Sequence, residues 1–344
     1  MNTSPGNQLR MLFWESTWRC NLACKHCRRL DVDDSQAPDD LSTEQVKSFF
    51  DSVMTLGRPV IVFSGGEPLM RPDWPDLAAY AASLNLPTAL ATNGTLIDST
   101  VAKQIAKAGF RRVAISLDGA DSATHDEFRG VVGAFDRALA GIAAVQSLGQ
   151  AFQINATIAG HNVHQLDELY DLACDLGACA LHVFLLVPVG CGVQIGATHQ
   201  LEPMRYERAL EWVCDKQASS RLELRATCAP QYYRIAAQRG MEASTRSSRG
   251  CLCGISVAFV GHSGDVFPCG YLPVRCGSVS DTSLAEIWRN SPVFEKLRDF
   301  NQLKGKCGRC EYKAVCGGCR ARALAETGDW LEQEPCCTYQ PGSS

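Results

Sequence analysis

The chain has 344 residues, of which 46% are hydrophobic and 20% charged, with a formal net charge of −4. That length suits two domains or one large domain with an appendage, and the composition is that of an ordinary globular protein. Mild acidity argues against a nucleic-acid partner, no apolar stretch reaches the length of a membrane span, and the N-terminal MNTSPGNQLR lacks the pattern of a signal peptide.

A cytoplasmic protein without membrane contact is therefore expected. In such a reducing compartment, 18 cysteines point to metal ligation rather than disulfides. Apolar runs at Leu12–Glu15, Val60–Ser64, Thr88–Thr92, Val113–Leu117, Phe152–Ile158 and Leu181–Val187 alternate with helical periodicity near 42–56, 73–84, 98–108, 133–148 and 163–176. Repeated strand–helix units with short turns predict a parallel sheet. Right-handed crossovers would curl it into a barrel or an open fraction of one. In such barrels the chemistry gathers at the C-terminal strand ends, and the distinctive residues fall there.

After the first strand comes Cys20-x3-Cys24-x2-Cys27. Four-iron clusters are normally held by four thiolates, so a triplet with no nearby fourth leaves one iron open to a small molecule. His26 lies inside the triplet and offers the alternative of a zinc site. After the second strand comes Ser64-Gly65-Gly66-Glu67-Pro68. The glycines let backbone approach a ligand closely, and Pro68 forces Glu67 to be extended, so that its carbonyl can point outward. Thr92-Asn93-Gly94-Thr95 and Ser116-Leu117-Asp118-Gly119 follow the third and fourth strands. They offer small polar groups that suit a ribose or a carboxylate, or simply helix caps. Arg129 suits a carboxylate partner, or is a solvated surface residue.

The CNLACKHC run resembles the signature of radical S-adenosylmethionine (SAM) enzymes. The resemblance implies an α/β fold with a partial (β/α)6 TIM-like barrel and SAM bound through its amino and carboxylate groups to the open iron of a [4Fe–4S] cluster. One electron then cleaves SAM to methionine and a 5′-deoxyadenosyl radical, which takes a hydrogen atom from an unactivated C–H bond. The cofactors carry this chemistry and the protein orients them, so no side chain is assigned as catalytic. By the same resemblance Gly65, Gly66, Glu67 and Pro68 bind the SAM amino group. Asn93, Ser116, Arg129 and Asn155, with Thr157 beside it, are further SAM contacts.

From Leu201 to Arg249 the pattern is helical and more polar, ending in a Ser- and Arg-rich loop over 242–249. A predicted hairpin follows, with Val257–Val260 and Val266–Pro268 flanking Gly261-His262-Ser263-Gly264-Asp265. A short helix begins at Ser283–Trp288 and continues near Val293–Asp299. Cys307-x2-Cys310-x5-Cys316-x2-Cys319 fits zinc on spacing alone. With Cys253-x10-Gly264-x4-Cys269 before it and Cys336 or Cys337 after it, the region resembles the SPASM domain. That resemblance implies one or two auxiliary [4Fe–4S] clusters. One is held by Cys269 and Cys319 with Cys251 or Cys253, the other by Cys307, Cys310, Cys316 and a terminal cysteine, Cys336 or Cys337. The quartet departs from the usual pattern in its last spacing, x2 instead of x3. Cys174, Cys179, Cys191, Cys214 and Cys228 have no such framework and read as buried small apolar residues. The division expected is a barrel over 1–200, a helical bridge over 201–250 and a SPASM-like domain over 251–344.

Nearly the whole chain is similar to the heme synthases of the alternative, siroheme-dependent pathway. The similarity is carried by Phe13-Trp14-Glu15, Cys27-Arg28, Leu186 through Gly192, Ala226 through Arg234, Pro268 through Val274 and Lys304 through Ala323. It implies oxidative decarboxylation of two propionates of Fe-coproporphyrin III to vinyl groups, with ferredoxin or flavodoxin as electron donor. A tetracarboxylate macrocycle calls for cations. Arg28, Arg225, Arg234, Arg249, Arg320 and Arg322 are candidates, with Tyr232, Tyr233 and Phe184 as stacking surfaces. The alternatives are a SPASM maturase of a ribosomal peptide, disfavoured by the dozen residues before the first strand, another tetrapyrrole-modifying relative, and a non-catalytic Fe–S or zinc protein.

Overall fold

The computed structural model describes residues 8–29, 38–241 and 249–342. The six expected strands form as β1 (Met11–Glu15), β2 (Val60–Ser64), β3 (Thr88–Thr92), β4 (Val113–Ser116), β5 (Phe152–Ile158) and β6 (Ala180–Leu185). Between them run α1 (Thr43–Val53), α2 (Trp74–Ser83), α3 (Ser99–Ala108), α4 (Ser122–Arg129), α5 (Ala134–Gln146) and α6 (Leu166–Asp175). Successive strands pair in parallel. Local signals set the helix ends: Ser42 and Gln45 form a capping box on α1, Asp98 caps α3, and Gly109 closes it in the left-handed conformation. Helix α4 was not expected. Its sequence, SATHDEFR, shows too little apolar periodicity, and Asp121 rather than Asp118 is its N-cap.

Alternate strand residues divide the fold. Leu12, Trp14, Ile61, Phe63, Leu90, Val113, Ile115, Ile154, Ala156, Leu181 and Val183 bury in the core beneath the helices, where Trp14 makes edge contacts with Phe50 and Phe63. The intervening residues line the concave face. They are small along β3 and β4 (Ala89, Ala91, Ala114, Ser116) and polar along β5 and β6 (Gln153, Asn155, Thr157, His182).

The stretch read as helical from 201 to 249 is not wholly so. After α7 (Gly192–His199) and α8 (Pro203–Gln217) comes β7 (Glu223–Thr227), parallel to β6, and then α9 (Gln231–Gln238). A five-residue terminal strand reading ELRAT carries charge on one face and lacks the apolar run that marks a buried strand. The loop expected over 242–249 lies outside the described residues but for Arg249. The predicted hairpin forms as β8 (Val257–Val260) and β9 (Asp265–Phe267), and β8 also pairs in parallel with β1. With β10 (Gly277–Ser278) the sheet has the order β10-β9-β8-β1-β2-β3-β4-β5-β6-β7, so the cysteine-rich region continues the barrel sheet. Helices α10 (Leu284–Asn290), α11 (Pro292–Arg298), α12 (Gly305–Arg309) and α13 (Arg320–Thr327) complete the chain.

Candidate active site and auxiliary metal sites

Strand β1 delivers the chain to residues 16–29, which cross the C-terminal ends of the strands. Three segments seat this loop. The first is Gly65-Gly66-Glu67. The Gly66 N–H donates to Thr17 O at 2.8 Å, and the Glu67 N–H to Arg19 O at 2.7 Å. A Cβ on Gly66 would lie 2.2 Å from Arg19 O and 2.5 Å from Trp18 O. The close approach expected of this glycine is thus made by the protein's own backbone. The second is the end of α4, where a Cβ on Gly130 would lie 2.3 Å from Ala23 O and the Lys25 N–H donates to Phe128 O at 3.0 Å. The third is the segment after β6, where the Cys191 N–H donates to Arg29 O at 2.9 Å. A Cβ on Gly190 would lie 2.3 Å from Arg28 O.

Glu67 is extended, as Pro68 requires, at φ −125° and ψ 113°. Its side chain is 1% exposed and accepts from the Leu69 N–H (3.2 Å), Thr92 Oγ1 (2.7 Å) and the Asn93 N–H (2.8 Å). Burial pushes its carboxyl up to about 7 against these hydrogen bonds. The carboxylate therefore ties β2 to β3, while the Glu67 carbonyl, expected to point outward, accepts from the Met70 N–H at 3.0 Å and the Pro68 carbonyl from the Arg71 N–H at 3.1 Å.

Cys20, Cys24 and Cys27 are half-buried. Burial pushes the Cys24 thiol up to about 11, opposed by Arg129. Arg129 is buried, not a surface residue. Its Nε stands 2.7 Å from Asp118 Oδ2, and its Nη1 lies 3.7 Å from Cys24 Sγ. Asp118 is fully buried and also accepts from the Thr157 N–H at 2.7 Å. Its importance was missed because Ser-Leu-Asp-Gly looks like a cap. His26 points away from the thiols: it stacks on Phe128 at 4.0 Å, and its Nε2 lies 3.4 Å from Asp118. Burial holds it down at about 3, hence neutral.

Among the small polar candidates, Asn93 is committed to the loop. Its Nδ2 donates to Asn21 Oδ1 at 2.9 Å, and its Oδ1 accepts from the Thr95 N–H at 2.9 Å. Asn155 Oδ1 accepts from Gln153 Nε2 at 2.8 Å. Ser116 Oγ, Asn155 Nδ2 and Thr157 Oγ1 have no hydrogen-bond partner among the described residues and face the concave side, where a ligand can use them.

The second cysteine field forms two groups. Cys307, Cys310, Cys316 and Cys337 line one pocket with Gln231, Arg234, Gly317 and Gly318. Cys336 is turned away and accepts from Gln200 Nε2 at 3.3 Å, which favours Cys337 of the adjacent pair. Four thiols around one pocket suit a [4Fe–4S] cluster. In the other group the thiols of Cys251 and Cys253 are 3.3 Å apart, and Cys253 also hydrogen-bonds Cys269.

Three of the arginines proposed for a substrate are already committed. Arg322 is fully buried, pairing with Glu334 at 3.0 Å and donating to Tyr206 Oη at 2.6 Å and Cys228 O at 2.5 Å. Arg320 donates to Glu332 O at 2.7 Å, and Arg234 pairs with Glu207 at 2.6 Å. A sequence shows the charge of such residues but not the buried carbonyls they satisfy. Arg249 lies over Phe300 at 3.4 Å. Arg28 is half-buried between Glu15 (2.8 Å) and the Phe259 ring (4.3 Å), and Arg225 is exposed beside Glu223. Tyr232 is bonded to Gln217 and meets Tyr233 edge-on at 5.2 Å.

Residues 14–173 match the radical SAM superfamily, and residues 251–320 match an iron–sulfur cluster-binding domain, SPASM. The AdoMet-dependent heme synthase of Methanosarcina barkeri is 46% identical over 346 residues, covering 98% of each chain. The chain belongs to the radical SAM superfamily. The AdoMet-dependent heme synthase of Oleidesulfovibrio alaskensis is 45% identical, covering 96% of this chain and 88% of the relative. Streptococcus suis SuiB, solved bound to precursor peptide SuiA, superposes with a TM-score of 0.77 at 20% identity, over 96% of this chain and 76% of that one, a likeness of fold. Membership carries with it a [4Fe–4S] cluster and SAM, and the family makes this chain an enzyme. No helix among the described residues is long and apolar enough to cross a membrane.

Proposed function

We propose that this protein is a heme synthase acting on Fe-coproporphyrin III. The observation that carries the reading is 46% identity to a heme synthase across 98% of both chains. It covers the segments that build the site as well as the cluster motifs. Cys20, Cys24 and Cys27 hold three irons of the cluster. Gly65 and Gly66 offer backbone carbonyls to the SAM amino group, within a segment that Glu67 and Pro68 close, and Arg129, fixed by Asp118, sets a positive charge beside Cys24. Ser116, Asn155 and Thr157 line the concave wall with unused hydrogen-bonding groups, while Asn93 acts through the loop it braces. When bound, cluster and SAM supply a 5′-deoxyadenosyl radical that removes one hydrogen atom from a propionate β-carbon.

The substrate then loses CO2 and one electron, turning –CH2–CH2–CO2⁻ into –CH=CH2, and this happens at two propionates. Arg28, half-buried, and Arg225, exposed on β7, are our candidates for holding the remaining carboxylates. Phe184 on β6 and Tyr233 offer faces for the macrocycle. Two auxiliary clusters are proposed as an exit for the released electron. The nearer lies against the cluster loop, since a Cβ on Gly270, the residue after Cys269, would stand 3.5 Å from the Arg28 side chain. A ferredoxin or flavodoxin is the proposed electron donor, and a cytoplasmic location follows from this chemistry's need for reducing conditions.

The test is an anaerobic incubation of reduced, reconstituted enzyme with SAM and Fe-coproporphyrin III, followed by mass spectrometry. Stepwise loss of CO2 and two hydrogens at each of two propionates, each matched by one 5′-deoxyadenosine, is expected. SAM cleavage with the porphyrin unchanged would overturn the substrate and leave the superfamily intact.

A further inference from the structure

Cys228 has no place in the SPASM spacing, and its sequence context gives it no role. The structure gives it several unusual properties at once. It directly follows β7 and is one of two non-glycine residues with positive φ among the described residues, at +54°. Such a conformation is uncommon outside Gly, Asn and Asp, and it persists only where the surroundings enforce it. Here they do. The Cys228 carbonyl accepts from Arg322 Nη2 at 2.5 Å and from Tyr206 Oη at 3.4 Å. Arg322 lies three residues after Cys319 and pairs with Glu334, which itself accepts from the Cys319 N–H at 2.6 Å. One buried network therefore fixes Cys228 against Cys319.

Besides burial, the groups that raise the Cys228 thiol are Cys319, Cys269 and Cys251, the thiols of the first auxiliary group. The pair Cys251 and Cys253 cannot both serve that group as they stand. Thiolates on different irons of a cube are held apart by the cube, whereas these two sulfurs are 3.3 Å apart. Of this pair Cys253 is enclosed by the core, at 6% exposure, and its thiol meets both Cys251 and Cys269; Cys319, at 7%, is enclosed as well. Cys228, Cys251 and Cys269 remain half-buried.

We propose that Cys228 is the fourth protein ligand of the first auxiliary cluster, with Cys251, Cys269 and Cys319, and that Cys253 packs beside it without binding iron. This rests on the reading that a cluster occupies that group. The barrel would then contribute a ligand to a cluster otherwise held by the C-terminal region.

The test uses the full chain with Cys20, Cys24 and Cys27 replaced by Ala, so that only auxiliary clusters are reconstituted. Iron and sulfide are counted, and oxidised and reduced forms are read by EPR and Mössbauer spectroscopy. The parent should hold about eight irons, two [4Fe–4S] clusters. Cys228→Gly keeps the left-handed backbone without strain, so a change cannot be assigned to misfolding. It should lose up to about four irons or show a three-iron signal on oxidation. Cys228→Ser should retain the cluster with shifted EPR, and Cys253→Ala should match the parent. Unchanged iron and spectra in Cys228→Gly, with eight irons in the parent, would overturn the ligand and leave the cluster standing. A parent holding only about four irons, all lost in Cys337→Ala, would overturn both.

Discussion

Arg322→Met tests the join between the barrel and the cysteine-rich region. The Arg322 guanidinium is fully buried and reaches Glu334 Oε1 (3.0 Å), Tyr206 Oη (2.6 Å) and the carbonyls of Cys228 (2.5 Å), Leu186 (3.3 Å) and Leu185 (3.4 Å). Methionine keeps much of the side-chain volume, so the loss is electrostatic rather than a cavity. Removing one partner of a buried ion pair costs about 3–5 kcal/mol. Glu334 retains the Cys319 and Cys336 N–H groups as donors, which keeps the cost toward the lower end. The stranded carbonyls add about 1 kcal/mol each where no water replaces the guanidinium. We expect a loss of about 3–6 kcal/mol, depending on how many of the three carbonyls water reaches, read as a lower urea midpoint by circular dichroism under anaerobic conditions. Arg322→Lys should recover little, since an ammonium cannot reach a fork of five acceptors. Pairing Arg322→Met with Glu334→Gln should be less harmful than the sum of the singles by about 1–3 kcal/mol. An Arg322→Met protein within about 1 kcal/mol of wild type would refute the buried network as a source of stability.

Gly66→Ala would force a Cβ to within 2.2 Å of Arg19 O. It should cost about four irons per chain and abolish SAM binding, while auxiliary iron is retained. Cys337→Ala should lower iron by up to about four or leave a three-iron cluster, whereas Cys276→Ala, whose thiol donates to Val274 O, should leave iron unchanged. Burial holds His26 down at about 3 and His125, His161 and His182 down at about 4. The unfolded chain then binds protons that the folded chain refuses, so stability is full above about pH 6.5 and falls as pH drops toward 4. Glu67, held up at about 7, works the other way, but it is one group against four. His182→Gln should make the slope of urea midpoint stability shallower by up to about 1.4 kcal/mol per pH unit in that window; an unchanged slope would show that His182 does not titrate there.

The barrel was legible because its code is local. Apolar runs such as Val60–Ser64 and Thr88–Thr92 formed strands with those same bounds, since burial on both faces of a parallel sheet demands continuous apolar sequence. The cysteine triplet and its meaning were equally local, as ligand spacing is a property of the chain. What escaped was whatever depends on residues distant in sequence. Helix α4 and strand β7 are polar and short, and are held by what they pack against rather than by their own pattern. Asp118 and Arg129 become a buried pair only once β4 and α4 meet. Arg234, Arg320 and Arg322 look like free cations until their carbonyl and carboxylate partners, brought from other elements, are in view. Cys228 read as filler because its neighbours Cys251, Cys269 and Cys319 arrive from beyond residue 250. The sequence by itself determined the strands, the first cluster motif and the family. Tertiary structure alone decided which charges are spent inside the protein and which thiols face one another, because burial and pairing are properties of the packed chain.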